Sequence, residues 1–241
     1  MKVTVPLCVA LLLSLSAASV RADVAGDLKG AAAAARPVFL VVTEGEARGT
    51  DLALRVCAEA AKILPEAVVA RLDRADPANS AITKRYRLES VEVPLILVIA
   101  SNGVAAAATK PAAVTANRLV RMVPSPAKAA QLKAVEEGKA TFLVFTGERT
   151  PGRLGAIGAC DEAIKLLGGK GATVVVDLAD PIEAGFVLAM KVDAATKVAV
   201  TVVMNARGQQ TAKFDAVPEP AALVDAAKKV AQECCPGGNC K

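Results

Sequence analysis

Histidine is absent from all 241 residues. Without an imidazole, Ser-His-Asp and Cys-His mechanisms, His-based acid–base work and His-containing zinc sites are excluded. Tryptophan is absent too, and one tyrosine and five phenylalanines are the whole aromatic complement. Base-stacking platforms cannot be built from so few rings, and no Lys/Arg cluster stands out, so the chain carries no nucleic-acid signature. There is no Gly-rich phosphate loop of the usual spacing. Beyond the first residues, no stretch reaches 18 apolar residues without a charge, so no membrane span is expected in the mature chain.

The N-terminus is the exception to that polarity. "MKVTVPLCVALLLSLSAASVRADVAGD" places one lysine before a run of apolar residues and then small ones, the layout of a secretory signal peptide. The apolar core, Val5 to about Leu15, falls short of the about 20 residues a spanning helix needs. Cleavage is expected after Ala22, giving residues 1–22 as the signal, an exported protein (periplasmic or extracellular) and the loss of Cys8. A retained anchor helix is the alternative. Without Lys2 and Arg21 the net charge of +5 falls by two to +3, which is mild.

What the chain does contain is a copy of itself. "FLVVTEGEARGTDLALRVCAEAAKIL" from Phe39 aligns without a gap with "FLVFTGERTPGRLGAIGACDEAIKLL" from Phe142, at an offset of 103. Gly49 meets Gly152 and Cys57 meets Cys160. "CAEAAKIL" and "CDEAIKLL" agree at five of eight positions. One residue of slip later, Asp73…Asp76-Pro77 recurs as Asp177…Asp180-Pro181. After a second slip, "VPLILVIASNG" lies over "VAVTVVMNARG". The reading is two lobes, 23–128 and 129–233, with a cysteine-rich tail at 234–241.

Each lobe alternates strand and helix. "VFLVVT" is a continuous β-branched apolar run, as a strand covered on both faces would be. Thr50 to Leu64 has helical spacing, with Asp51, Arg55, Glu59 and Lys62 on one side and Leu52, Val56, Cys57, Ala60, Ile63 and Leu64 on a broad opposite arc. A second strand, "AVVARLD", leads to an Asp-Pro turn and a short helix around Ile82–Tyr86. The strand "PLILVIA" and an Asn-Gly turn follow. The helices "TANRLVRMV" and "SPAKAAQLKAVEEGK" are expected to close the first lobe, and "EPAALVDAAKKVAQE" the second.

The stretch "ARLDRADPANSAITKRYRLESVEVPLILVIASNG" resembles thioredoxins, in which an Asp-bearing strand leads to a short helix, a Val-Pro step and a strand ending at Asn-Gly. The resemblance implies an α/β fold of two tandem thioredoxin-like lobes, each a central mixed β-sheet flanked by helices. It implies that Pro94 is the family's cis-proline; a trans-proline opening a strand is the alternative. Lobe 2 has Ala199 at the matching place. Thioredoxins carry Cys-x-x-Cys between the first central strand and the next helix. Here those places read "TEGEARGTD" and "TGERTPGR", with no cysteine, so the family's dithiol chemistry is not carried over to either lobe.

The remaining cysteines divide into two kinds. Cys57 and Cys160 fall on apolar helix arcs and read as structural, packed as small hydrophobes; a displaced reactive thiol or a bond between the lobes are the alternatives. Cys234, Cys235 and Cys240 cluster around Pro236-Gly237-Gly238, which stop a helix and let the chain turn back. Three readings of the tail compete: a 235–240 or 234–240 disulfide, a three-thiolate site for a soft ion such as Cu(I), or a cross-link to a partner. Five cysteines remain after processing, and the odd count argues for a free or intermolecular thiol. Asp73/Asp76 and Asp177/Asp180 are paired carboxylates, but Asp-Pro after a strand is first a turn signal. If the lobes bind a protein or peptide partner, Glu46, Arg48 and Pro94 mark the face.

Overall fold

The computed structural model describes residues 23–230. The cysteines of the tail and Cys8 lie outside the described residues, as does the expected signal segment.

Two four-stranded sheets account for the described residues, and they have the same topology. In lobe 1, helix α1 (Val24–Ala33) leads to strand β1 (Val38–Thr43), then α2 (Thr50–Ile63), β2 (Val68–Asp73), α3 (Ser80–Arg85), β3 (Leu95–Ile99), β4 (Ala105–Thr109) and α4 (Ala116–Arg121). Lobe 2 repeats the series as α5 (Pro126–Glu136), β5 (Ala140–Thr146), α6 (Arg153–Leu166), β6 (Gly171–Asp177), α7 (Ala184–Ala189), β7 (Val200–Met204), β8 (Gln210–Phe214) and α8 (Pro220–Lys228). The sheet orders are β2-β1-β3-β4 and β6-β5-β7-β8. In each, the first pair is parallel and the other two are antiparallel. A register shift recurs at Val98/Ile99 and at Val203/Met204, 105 residues apart. These are the two thioredoxin-like lobes expected, and the duplication extends to an irregularity of the ladder.

The central strands form because they are apolar on both sides. All six residues of β1 and all seven of β5 are buried. Helices cover both faces, which is what such strands require. On one face of lobe 1, α1 and α3 pack over Val38, Leu40 and Val42; on the other, α2 and α4 pack over Phe39 and Val41. Lobe 2 divides likewise between α5 with α7 and α6 with α8.

Two expectations change. The buried stripe of α2 is Thr50, Ala53, Cys57 and Ala60, while Leu52 and Ile63 are 37% and 49% exposed. The stripe is narrower than the apolar arc because small residues let the helix lie close to the sheet, leaving the larger ones at its edges. Second, α5 does not close lobe 1. It packs on β5 and β6, with Ala127 in the core of lobe 2, so the division expected at 128/129 falls inside a helix whose contacts belong largely to the second lobe. Ser125 caps it, its hydroxyl accepting from Lys128 N, and Pro126 stands at its first turn.

Candidate functional site

In a fold of this kind the loop after the first central strand faces the loop before the third. In lobe 1 the two meet at Gly49 and Pro94. The Val93–Pro94 peptide bond is cis. Gly49 has φ +96°, and a Cβ placed on it would stand 3.4 Å from Pro94 Cγ. Glycine thus serves two needs here, a left-handed backbone and a close approach.

The β1–α2 loop is pinned from several sides. The hydroxyls of Thr43 and Thr50 meet at 3.1 Å, and Thr50 also donates to Ala47 O at 2.7 Å. Gly45 N donates to Asp73 Oδ1 at 3.2 Å, and Arg71 Nη2 donates to Gly45 O at 3.2 Å. Arg74 ties the loop to the approach of Pro94: its Nε and Nη2 donate to Glu44 Oε2 at 3.0 and 2.5 Å, and its Nη1 to the carbonyls of Leu88 and Val91. This Arg74–Glu44 clasp escaped the sequence analysis, because nothing in a sequence couples two charges 30 residues apart. Of the residues expected to mark a partner face, Glu46 and Arg48 are exposed and Pro94 is half-buried; Gly49 brings their loop against Pro94.

The equivalent corner of lobe 2 is built differently. Ala199 has the N–H that Pro94 lacks, and it donates to Pro151 O at 3.1 Å, closing the corner backbone to backbone. Val217 lies over the start of α6: Cβ atoms placed on Gly152 and Gly155 would stand 3.2 and 3.1 Å from its Cγ2. Around this covered corner Leu154, Val198 and Val217 are 78%, 39% and 49% exposed. Leu154 and Val217 gave no sequence signal, since a single apolar residue in a loop or at a helix start is ordinary.

Neither described cysteine is near these corners' surfaces. Cys57 and Cys160 lie two turns into α2 and α6, both 0% exposed, both free, and in separate cores. Burial pushes each thiol up to about 12, with the charge of Asp161 adding to the rise at Cys160. A thiolate is the reactive form, so these are inert side chains at neutral pH. The bond between lobes left open by the sequence is not made. The paired aspartates are turn formers: Asp73 and Asp76 accept from Ala75 N and Ala78 N, Asp177 and Asp180 from Ala179 N and Ile182 N. Among the described residues no group of three or more His, Cys, Asp or Glu could hold a metal ion, and no helix is long and apolar enough to cross a membrane.

No protein-family profile matches the chain, and no curated protein does. Solved structures do. Human ERp44 in a zinc-bound form is 11% identical over 75% of this chain, at a TM-score of 0.36. The first two thioredoxin domains of Eps1p from Saccharomyces cerevisiae are 9% identical, with 84% of this chain and 95% of that one covered, at 0.29. An N-terminal domain of the alkylhydroperoxide reductase AhpF from Enterococcus faecalis is 10% identical, with 84% and 98% covered, at 0.26. The chain spans about half the length of the ERp44 chain, 50% of it.

Proposed function

We propose that the chain is an exported, non-catalytic, tandem thioredoxin-like protein that binds or scaffolds a protein or peptide partner. One observation carries this reading. Where a reactive thiol would have to stand, at the starts of α2 and α6, each lobe has glycine instead, and its one described cysteine is sealed in the core. A binding role also fits the two corners. That of lobe 1 presents Glu46, Arg48 and Pro94 on a pinned loop, and that of lobe 2 presents Leu154, Val198 and Val217. Exposed apolar side chains grouped beside a rigid corner are what a polypeptide partner can bury.

The test is an anisotropy titration with a labelled, reduced and carboxymethylated polypeptide, which offers extended chain and no thiol. Saturable binding that weakens about tenfold in Leu154→Glu or Val217→Glu supports the proposal. Catalytic turnover of a disulfide substrate by the lobes overturns it, as does binding indifferent to both substitutions.

The clustered tail favours a second reading: Cu(I) binding, or disulfide exchange, through Cys234, Cys235 and Cys240. Low-coordinate thiolate sites suit Cu(I) better than zinc, which wants four ligands. Titration with Cu(I) under a competing chelator, together with a count of free thiols, tests it. If deleting residues 234–241 alters neither copper uptake nor thiol count, this reading ends.

A further inference from the structure

On the α1/α3 face of lobe 1, away from the Gly49–Pro94 corner, a cleft of about 400 Å³ opens between the two helices and the β3–β4 turn. The buried Val38 and Ile99 and the half-buried Leu28, Ile82 and Tyr86 give it apolar sides. Lys29, Arg36 and Arg85 stand around it, and no Asp or Glu lines it. Arg85 is held over the Tyr86 ring, 5.2 Å from its centroid, and donates to Gly103 O at 3.1 Å. Arg36 donates to the carbonyl of Glu66. Among the described residues none of the three cations has a carboxylate partner. Glu136, whose charge reaches Tyr86, is paired with Lys133 at 2.6 Å.

The second lobe serves as an internal control. Offsets of 103 and 104 set Val135 over Ala32, Gln131 over Leu28 and Phe186 over Ile82. There α5 reaches the β7–β8 turn: a Cβ on Gly208 would stand 3.4 Å from Val135 Cγ2 and 3.9 Å from Gln131 Nε2. In lobe 1 a Cβ on the matching Gly103 would stand 3.3 Å from Arg85 Nη2 and within 4 Å of no side chain of α1. Phe186 fills its place against Phe145, ring centroids 6.0 Å apart. The opening in lobe 1 is therefore not imposed by the fold. Ala32 stands where the copy has valine, and Ile82 where it has phenylalanine.

We propose that this cleft binds the free monoanion of an alkyl carboxylate. The alkyl chain lies among Leu28, Val38, Ile82 and Ile99, and the carboxylate sits at the cationic rim. A mostly apolar concavity of a few hundred Å³ with a few convergent polar groups is the usual form of a small-molecule site. Burial of the alkyl chain supplies the drive, and guanidinium or ammonium groups fix the carboxylate end. This site is separate from the corners of the proposed function and stands or falls without them.

The probe is dansyl-labelled undecanoate bound to the full chain, displaced by decanoate or by decanol. Saturable, single-site displacement by decanoate is expected, with decanol weaker. Ala32→Phe fills the cleft and lowers decanoate affinity about tenfold or more; Ala32→Val, which copies lobe 2, covers the case where phenylalanine disturbs folding. Lys29→Glu weakens decanoate several-fold and leaves decanol unchanged. The proposal is overturned if the probe binds without saturation, if decanol matches decanoate, or if none of these substitutions changes affinity. Retention on anionic phospholipid vesicles without displacement by free decanoate also overturns it, in favour of a membrane surface.

Discussion

Cys57 and Cys160 hold equivalent places, each between buried alanines of its own helix and in a core shared with the sheet. Burial fixes both their packing and their chemistry. Under native conditions iodoacetamide is expected to leave both unmodified and to modify them once the chain is denatured; peptide mass spectrometry reads the outcome at each site. Their acidity also sets a sign for pH. The folded state holds each proton to about 12, against 9.0 for an ordinary thiol. Between those values the unfolded chain has lost protons that the folded chain retains, so stability falls as pH rises from about 9 to about 12. Burial of Tyr86 acts in the same direction. Melting curves should show this decline, and it should be shallower when Cys57→Ala and Cys160→Ala are combined. Gly49 is the other residue with a sharp demand. Gly49→Ala places a Cβ at φ +96° and 3.4 Å from the Pro94 ring, and its expected cost is about 1–2 kcal/mol by urea denaturation.

At the scale of elements, α5 explains most about how the two lobes are joined. Its N-terminus is capped twice. Ser125 Oγ and Ala127 N both donate to the carboxylate of Glu183, at 2.5 and 2.9 Å, and Glu183 is only 4% exposed. The carbonyl of the same residue accepts from Phe186 N and Val187 N, starting α7. Glu183→Ala leaves these donors without their acceptor, and a loss of about 2 kcal/mol in unfolding free energy is expected, with a smaller loss for Glu183→Gln. This element also marks the limit of what a sequence tells. "Ser-Pro" followed by an alanine-rich run identifies a helix start, and α5 begins there. Nothing in those residues states which sheet the helix covers, because its alanines would suit either. The aspartates, by contrast, were readable as turn formers: an Asp-Pro step signals local geometry, and Asp76 and Asp180 each accept from the backbone N–H two residues on. The strands were readable because their apolar runs are uninterrupted. The Arg74–Glu44 clasp and the Val217 cover were not, since both depend on chain segments distant in sequence.

For the molecule as a whole, the repeat is the organising fact. It fixed the expectation of two matching sheets, and it now separates what the fold demands from what each copy has changed. Lobe 1 keeps the proline and an open cleft; lobe 2 replaces the proline with alanine, closes its corner and fills the matching space. The lobes touch through a small seam, where Ala129 of α5 packs with Ala100 and Val104, and Asn102 Nδ2 donates to Ala129 O at 2.8 Å. Both corners lack the sulfur that would make them reaction centres. The most direct measurement is therefore reduction of insulin by dithiothreitol in the presence of the chain lacking residues 234–241. No acceleration over the uncatalysed reaction is expected at any protein concentration. Turnover that persists without the tail would contradict the account, because it would require a working thiol in a lobe where the structure provides only sealed ones.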